Sequence, residues 1–144
     1  MTTRAAVIQE ALSWIGTPFH DCSCVKGAGV DCVNLTAAVF MAVGLVPRVE
    51  IPSYKPQWFE HRDEPLFLHG IASYAHQVNV GLAGDIAMFN YGRHAAHAGI
   101  LVDERTIVHA FKPMGFVTKA SLTDYLQLPS GARGSLHSFW SVFP

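Results

Sequence analysis

Apolar positions recur at helical spacing in two segments near the start of the chain. Over residues 3 to 15 they follow two threonines that can cap a helix, and Gly16 and Pro18 come soon afterwards. This pattern predicts a first helix. A second apolar pattern runs from Asp31 to about Val43, between a glycine-rich loop and another glycine, and it predicts a second helix.

The stretches between and after these helices are rich in glycine and proline. Residues 17 to 30 predict a loop, and residues 47 to 65, with four prolines and no stable period, predict an irregular arm. A segment of this length without regular structure is often a binding element or a lid. A short third helix is predicted over residues 64 to 77.

After Gly84 the pattern changes to short runs of β-forming residues. The predicted strands are DIAMFNY, HAGILV, TIVHAF, FVTKA and SLHSFWSVF, with a small helical patch SLTDYL before the last of them. Helices followed by a mostly antiparallel sheet define an α+β domain. The length of 144 residues fits a single domain over residues 1 to 144.

Composition and charge narrow the classes of partner. Half of the residues are apolar, 15% are charged and the formal net charge is −1, without a basic stripe, so nucleic acid is not an expected partner. The N-terminal segment lacks the apolar run of a signal peptide, and the run AAVFMAVGLV is too short to span a bilayer. We therefore expect cytoplasmic synthesis without a signal peptide and no membrane insertion.

Cys32 is placed where the glycine-rich loop KGAGVD becomes the second helix. Free N–H groups and the positive end of a helix dipole are expected to lower the pKa of a thiol at this position, and the thiolate is the reactive form. The same N–H groups can hold an oxyanion. The alternative is a small cysteine that only fills space at a helix start.

Two histidines on the predicted strands can serve this cysteine as a base and as an orienting group. His97 opens HAGILV, and His109 lies inside TIVHAF. Because side chains alternate along a strand, both histidines share one face only if a loop of three or five residues, around Asp103 to Thr106, joins the strands. A two-residue loop would put them on opposite faces. Taken alone, each could be an ordinary polar residue.

The eight histidines and three cysteines also allow a zinc site to be drawn. Its ligands would come from His20, Cys22, Cys24, Cys32, His94 and His97. The chain has no C-x-x-C pair, and alternate residues of an extended segment point in opposite directions, so we expect no metal and no cofactor. An odd number of cysteines outside any disulfide pattern fits a reduced compartment.

These motifs resemble those of the NlpC/P60 superfamily of cell-wall cysteine peptidases, and among them the compact members encoded in phages and prophages. The segment WIGTPFHDCSCVKGAGVDCVNL is similar to the family's nucleophile motif, which implies Cys32 as the nucleophile. GDIAMF and HAGILV resemble the strands around the base, which implies His97. IVHAF resembles the strand of the third polar residue, which implies His109, and YKPQWFEHRDEPLFL resembles the arm of prophage-type members.

The resemblance also implies a fold and a set of substrate contacts. The implied fold is papain-like, with the nucleophile helix packed against an antiparallel sheet of about five or six strands. Substrate contacts are expected from Phe19, His20, Asp31 and Asn34. Phe19 departs from the family pattern, which usually has tyrosine there, and Asn34 stands where a small residue is usual.

The activity implied is hydrolysis of an amide in peptidoglycan stem peptides, typically beside D-γ-glutamyl and diaminopimelate. We expect the protein to act on the cell wall after delivery by a phage tail or gene-transfer particle, with tail or tail-tip proteins as partners. Two other hypotheses stay open. One is a tail-tip structural or assembly protein that uses the cleft for binding, and the other is a thiol amidase or acyltransferase on a substrate outside the wall.

Overall fold

A computed structural model describes residues 3–48, 51, 66–91, 94–122 and 135–144 of the chain. The helices are α1 (Arg4–Ser13), α2 (Cys32–Ala42) and α3 (Leu66–Ala72). The strands are β1 (Cys24–Val25), β2 (Gly29–Val30), β3 (His76–Val78), β4 (Ile86–Tyr91), β5 (His94–Leu101), β6 (Thr106–Phe111), β7 (Phe116–Ser121) and β8 (Ser135–Ser141). A 3-10 turn, Lys112–Met114, connects β6 and β7. The predicted arm over residues 47 to 65 lies outside the described residues except for positions 47, 48 and 51.

The two N-terminal helices begin at capping side chains, as the sequence predicts. Thr3 Oγ1 accepts a hydrogen bond from the N–H of Ala6 at 3.2 Å, and Asp31 Oδ1 accepts one from the N–H of Asn34 at 2.9 Å. Gly44, with a φ of 79°, follows α2 in the left-handed conformation that ends many helices. Both predicted helices are confirmed, each shorter by a residue or two at its ends.

Six strands form one sheet in the order β3-β8-β4-β5-β6-β7, and all neighbours in it are antiparallel. Helix α2 packs on β5 and β6, near the middle of the sheet. The predicted α+β class, with the second helix packed on an antiparallel sheet of about five or six strands, is confirmed. The predicted loop over residues 17 to 30 contains one short hairpin, formed by β1 and β2.

Both faces of the sheet carry buried side chains. Because side chains alternate along each strand, neighbouring residues belong to opposite faces. The face toward the helices carries Ile86, Met88, Ala98, Ile100, Val108, Ala110 and Val117. The other face carries Ala87, Phe89, Leu101, Ile107 and Phe111. Because odd-numbered residues of β5 and β6 belong to this second face, His97 and His109 point there too.

The third predicted helix, over residues 64 to 77, is wrong at its C-terminal end. Helix α3 ends at Ala72, and His76–Val78 forms β3, an edge strand paired with β8. The backbone partner of this strand lies at the far end of the chain, so local periodicity could not reveal it. The predicted helical patch SLTDYL also begins wrongly, because its first residue, Ser121, is the last residue of β7; positions 123–126 lie outside the described residues.

Candidate active site

Cys32 is the first residue of α2, and the buried carboxylate of Asp31 fixes the helix start around it. Asp31 Oδ1 accepts hydrogen bonds from the backbone N–H and the side-chain amide of Asn34, at 2.9 and 3.0 Å. Asp31 Oδ2 accepts from the backbone N–H of Cys22 at 2.7 Å. Asp31 thus caps α2 and anchors the preceding loop, with half-buried Asn34 as its partner. Substrate contact by these two residues stays a prediction.

The half-buried thiol of Cys32 lies between the helix start and β5. The backbone N–H of Ala98 forms a hydrogen bond with the sulfur, as do the N–H groups of Cys32 itself and Val33. Ala98 directly follows His97 in β5. The sulfur therefore touches the segment that carries the predicted base. Several N–H donors converge on the sulfur, where a negative charge would develop when the thiol loses its proton.

The resting thiol of Cys32 is protonated at neutral pH. Burial raises its pKa to about 12, and the negative charge of Asp31 adds to the rise. The N–H groups that point at the sulfur lower the pKa, but they do not outweigh burial. The sequence predicted that the start of the helix lowers the pKa of the Cys32 thiol. This prediction is wrong for the resting site, because the thiol is desolvated and lies beside the carboxylate of Asp31.

His97 and His109 come together on the second face of the sheet. The N–H of Val102 bonds to the carbonyl of Thr106, so residues 103–105 form a three-residue loop between β5 and β6. The predicted odd-length loop is confirmed, and with it the shared face. His97 Nε2 lies 2.8 Å from His109 Nδ1.

The histidine pair is buried among aromatic rings. His97 is 4% exposed and His109 is 1% exposed. Phe111 stacks on His109, with ring centroids 5.3 Å apart and an interplanar angle of 9°, and Phe89 is tilted against His97. Burial lowers the pKa of His109 to about 4, and burial together with His109 lowers the pKa of His97 well below 6.5. Both rings are therefore neutral at pH 7.

The bond between the two rings restricts their tautomers. A proton from Cys32 can be accepted by Nδ1 of His97 only when that nitrogen carries no hydrogen. His97 then carries its hydrogen on Nε2 and donates it to His109 Nδ1, and His109 carries its own hydrogen on Nε2. In this arrangement His109 holds both the orientation and the tautomer of His97.

A β-bulge immediately precedes His97. Between β4 and β5, Phe89 pairs with His97 and Asn90 pairs with Ala95, so Ala96 is an extra residue on β5. A bulge bends its strand and changes the direction of the following side chains. The bulge therefore lies directly before His97 and sets the direction in which that side chain leaves β5.

Gly99 lets β5 and β6 approach closely below the histidine pair. A Cβ atom at this position would lie 2.8 Å from Cδ1 and 3.0 Å from Cβ of Ile107, and 3.3 Å from Cβ of His109. A side chain at position 99 would thus push on Ile107 and on the Cβ of His109. In the sequence, Gly99 stands out only as part of the motif HAGILV. Its role is seen only in the packing of β5 against β6.

Phe19 and His20, predicted as substrate contacts, line an open depression of about 280 Å³. Its remaining lining residues are Asp21, Lys112 and Gly115. Phe19 forms a β-bridge with Val30, two residues before Cys32, so the depression borders the candidate site. Sequence reasoning missed these three lining residues. The sequence gives only weak signals for them. Asp21 is the neighbour of His20, and Lys112 and Gly115 closely follow β6.

The residues considered for zinc do not assemble into a metal site in the part of the chain that the structure describes. No three side chains of His, Cys, Asp or Glu meet there as a metal ion would require. Cys22 and Cys24 are exposed thiols, and the Cys24 thiol contacts the backbone carbonyl of Asn34 at 3.8 Å.

Comparison with known proteins places this chain in a family. The model of the NlpC/P60 family matches residues 16–128, more than half of the chain. The chain belongs to the NlpC/P60 family. One solved structure similar to this NlpC/P60 chain is the NlpC/p60 domain of peptidoglycan hydrolase SagA, at 20% identity and a TM-score of 0.60. That match covers 92% of this chain and 97% of the other.

Two further solved structures share the NlpC/P60 fold. The P60 domain of an antigen from M. avium subspecies paratuberculosis is 17% identical, with a TM-score of 0.58 and coverage of 96% of this chain and 92% of that one. A Staphylococcus aureus protein of the NLP/P60 family, described as similar to lipoprotein, is 18% identical with a TM-score of 0.55. There the match covers 84% of this chain and 36% of that one. At these identities the likeness shows the fold alone.

No curated protein matches the chain. Across the described residues, every helix is too short or too polar to span a bilayer.

Proposed function

We propose that this NlpC/P60 protein is a cysteine peptidase that hydrolyses amide bonds in peptidoglycan stem peptides. The observation that carries the proposal is the hydrogen bond between His97 and His109, formed beside the backbone that contacts the Cys32 sulfur. Family membership and the similarity to a domain of a peptidoglycan hydrolase support the wall as the place of action.

The nucleophile is generated during attack rather than in the resting site. Because both the thiol and the imidazoles are neutral at pH 7, the Cys32 proton moves to His97 Nδ1 as the sulfur bonds to the substrate carbonyl carbon. His97 becomes an imidazolium and keeps donating from Nε2 to His109. The carbonyl oxygen gains the negative charge, which the N–H groups at the start of α2 stabilise.

The second half of the reaction returns the enzyme to its starting state. The His97 imidazolium gives its proton to the leaving amine as the carbon–nitrogen bond breaks, which leaves a thioester on Cys32. Water then attacks the thioester, and neutral His97 accepts one proton from that water. The products are a carboxylic acid and the regenerated thiol, so the cycle needs no further reactant.

The finer substrate assignment and the place of action are also proposals. We propose that the bond cleaved follows D-γ-glutamate and precedes diaminopimelate, and that a phage tail or gene-transfer particle carries the protein to the wall. The resemblance of the motifs to those of compact prophage-type peptidases supports both proposals. Detection of the chain by mass spectrometry in purified particles would test the delivery proposal, and its absence from them would contradict it.

The activity is tested by digesting purified peptidoglycan and following the released peptides by liquid chromatography and mass spectrometry. We expect new stem-peptide fragments with the wild-type protein and none with Cys32→Ala. Cys22→Ala is the matched control, because it removes an exposed thiol from the preceding loop and should leave digestion unchanged. A cysteine-to-alanine change at a half-buried site removes little volume, so both variants should melt like the wild type.

Two outcomes would contradict the peptidase proposal. Absence of digestion by folded wild-type protein on both diaminopimelate-type and lysine-type walls would favour a binding role for the cleft. Digestion that persists in Cys32→Ala would show that this cysteine is not the nucleophile.

A further inference from the structure

The ring of Phe111 contacts both histidines of the candidate site. It stacks on His109, with centroids 5.3 Å apart and an interplanar angle of 9°, and it meets His97 edge to face at 5.3 Å and 61°. Aromatic rings attract each other in both of these arrangements at such distances. The two imidazole centroids are themselves 5.1 Å apart. One phenylalanine ring thus restrains both imidazoles of the pair.

The spacing along β6 shows that the stacking on His109 is close. Alternate residues of a strand point to the same face and lie about 6.6 Å apart. The centroids of His109 and Phe111 are nearer than this, so the two rings lean together. Phe111 pairs with Phe116 of β7, which places a second phenylalanine beside it on the same face. The plane of the His109 ring is therefore set by packing as well as by its bond to His97.

Phe111 also stands between the histidine pair and solvent. Its side chain is 6% exposed, and Phe89, which tilts against His97 from β4, is 2% exposed. Both belong to the apolar cluster on the second face of the sheet. Phe111 is the last residue of β6, and the next side chain, Lys112, is already 58% exposed. Loss of the Phe111 ring would therefore open the pair to water from the end of the strand.

The described elements around the pair bring few charges to it. On β7, Thr118 faces the pair, and Lys119 points to the other face of the sheet. Lys112, in the turn after β6, pairs with an aspartate of the loop before α2. The start of α2 contributes the Cys32 thiol and Asp31, whose carboxylate accepts three bonds from N–H groups. Exclusion of water is therefore the main cause that lowers the pKa of both imidazoles.

Building on the proposed function, we propose that Phe111 is a positioning residue of the peptidase, whose ring restrains both imidazoles and keeps water from them. The ring fixes the plane of His109, and the bond between the two imidazoles passes this restraint to His97. Because the pair stays dry, His97 remains an unprotonated base at pH values where an exposed histidine is charged. The enzyme therefore keeps its activity in mildly acidic surroundings.

NMR titration of the histidine rings tests the role of Phe111 without any need for turnover. The sample is full-length Cys32→Ala protein, alone and with a second substitution. In Phe111→Ala the pKa of His109, about 4, should rise toward 6.5, and the pKa of His97 should rise with it. Phe111→Leu keeps much of the apolar volume and should give a smaller rise. Phe111→Tyr keeps the ring and should leave both pKa values low.

Phe67→Ala is the matched control for lost packing. Phe67 is 7% exposed, close to the 6% of Phe111, but it lies on α3 and belongs to the cluster on the helix face of the sheet. Its loss should destabilise the fold as much as the loss of Phe111. It should leave the titration of both histidines unchanged, because it opens a different part of the core.

The pH dependence of cleavage gives a second measurement, now with Cys32 intact. The ratio of kcat/KM at pH 5.5 to kcat/KM at pH 7.5 should be close to 1 for the wild type and for Phe67→Ala. In Phe111→Ala the ratio should fall by about 10-fold, because a histidine with an ordinary pKa is mostly protonated at pH 5.5. The loss should appear in kcat, with KM nearly unchanged, since the buried Phe111 ring is not a substrate contact.

The outcomes separate this inference from the proposed function. Unchanged or lower histidine pKa values in folded Phe111→Leu or Phe111→Ala, or an equal rise in Phe67→Ala, would overturn the role of Phe111. Raised pKa values in the Phe111 variants of a protein that digests no peptidoglycan would uphold the restraint and overturn the peptidase proposal. Digestion by a protein whose histidine pKa values ignore Phe111 would do the reverse.

Discussion

His97 Nε2 and His109 Nδ1 lie 2.8 Å apart across the β5–β6 hairpin, so one of these two nitrogens carries the hydrogen and the other accepts it. A neutral imidazole is a weaker acceptor for an imidazolium than a carboxylate is. His109 therefore restrains the ring of His97 without strongly stabilising a positive charge on it, which agrees with the lowered pKa of His97.

Replacement of His109 tests whether this residue orients the ring of His97 or only packs against it. In His109→Ala the buried Nε2–H of His97 loses its acceptor, and kcat/KM should fall about 10- to 100-fold, as for other residues that position a catalytic ligand or base. His109→Asn keeps an acceptor near the position of Nδ1 and should recover much of the loss. The check is a comparison of kcat/KM on a stem peptide with thermal melts of both variants. Equal activity of the alanine and asparagine variants would contradict an orienting role.

The two buried histidines make folding stability depend on pH. Their pKa values are lower in the folded protein than the ordinary 6.5, so the unfolded chain binds protons more readily at acidic pH. Stability is thus fully present above pH 6.5 and decreases as the pH falls toward 4. His109, with a folded pKa of about 4, accounts for a loss on the order of 3 kcal/mol.

Urea unfolding at several pH values between 7.5 and 4.5 measures this dependence. His109→Asn removes one of the two titrations and should flatten the curve. A wild-type stability that stays constant from pH 7 to 4.5 would contradict the lowered pKa values. For the free enzyme, the acid limb of kcat/KM should likewise lie below pH 6.5, because His97 stays neutral there.

Alkylation kinetics report the protonation state of the resting nucleophile. Because the pKa of Cys32 is raised to about 12, iodoacetamide should modify it slowly at pH 7, and the rate should increase through pH 9 and beyond. Exposed Cys22 should be modified first. Site-resolved mass spectrometry measures both rates. Fast modification of Cys32 at pH 7 that disappears in His97→Ala would instead indicate a resting thiolate–imidazolium pair.

Asp31 links the helix cap to the protonation of the nucleophile. Asp31→Asn keeps a capping oxygen and removes the negative charge that raises the Cys32 pKa, so alkylation at pH 8 should become faster. Asp31→Ala removes the cap and leaves the N–H of Cys22 without this acceptor, which should destabilise the protein by about 1–2 kcal/mol or more. Slower alkylation of a folded Asp31→Asn variant would refute the electrostatic link.

A methyl group at Gly99 should disturb the histidine pair. Gly99→Ala brings a Cβ to 2.8 Å from Ile107 and should destabilise the fold by about 1–3 kcal/mol while lowering kcat/KM. Gly70→Ala is the control, since nothing lies within 4 Å of a Cβ there and helix α3 should gain about 0.5–1 kcal/mol. Chemical unfolding and stem-peptide assays of both variants provide the comparison. A Gly99→Ala protein with wild-type stability and activity would show that the strands can separate freely.

Much of the arrangement of Cys32, His97 and His109 could be predicted from local patterns. A capping aspartate after a glycine-rich loop determines that α2 begins at Cys32, because the cap satisfies the N–H groups at the helix start. The alternation of β-strands, together with a three-residue loop, determines that His97 and His109 share a face. These relations depend only on neighbours along the chain.

The protonation state of the Cys32 thiol and the ion pair between Lys112 and Asp21 were decided by tertiary structure alone. The thiol of Cys32 is neutral because packing against β5 desolvates it, and no sequence spacing encodes that burial. Lys112 and Asp21 are 91 positions apart in the chain. They meet only because the C-terminal end of β6 lies close to the loop before α2. Local sequence determines which residues share an element and a face, whereas solvent exposure and long-range pairing depend on how distant elements pack.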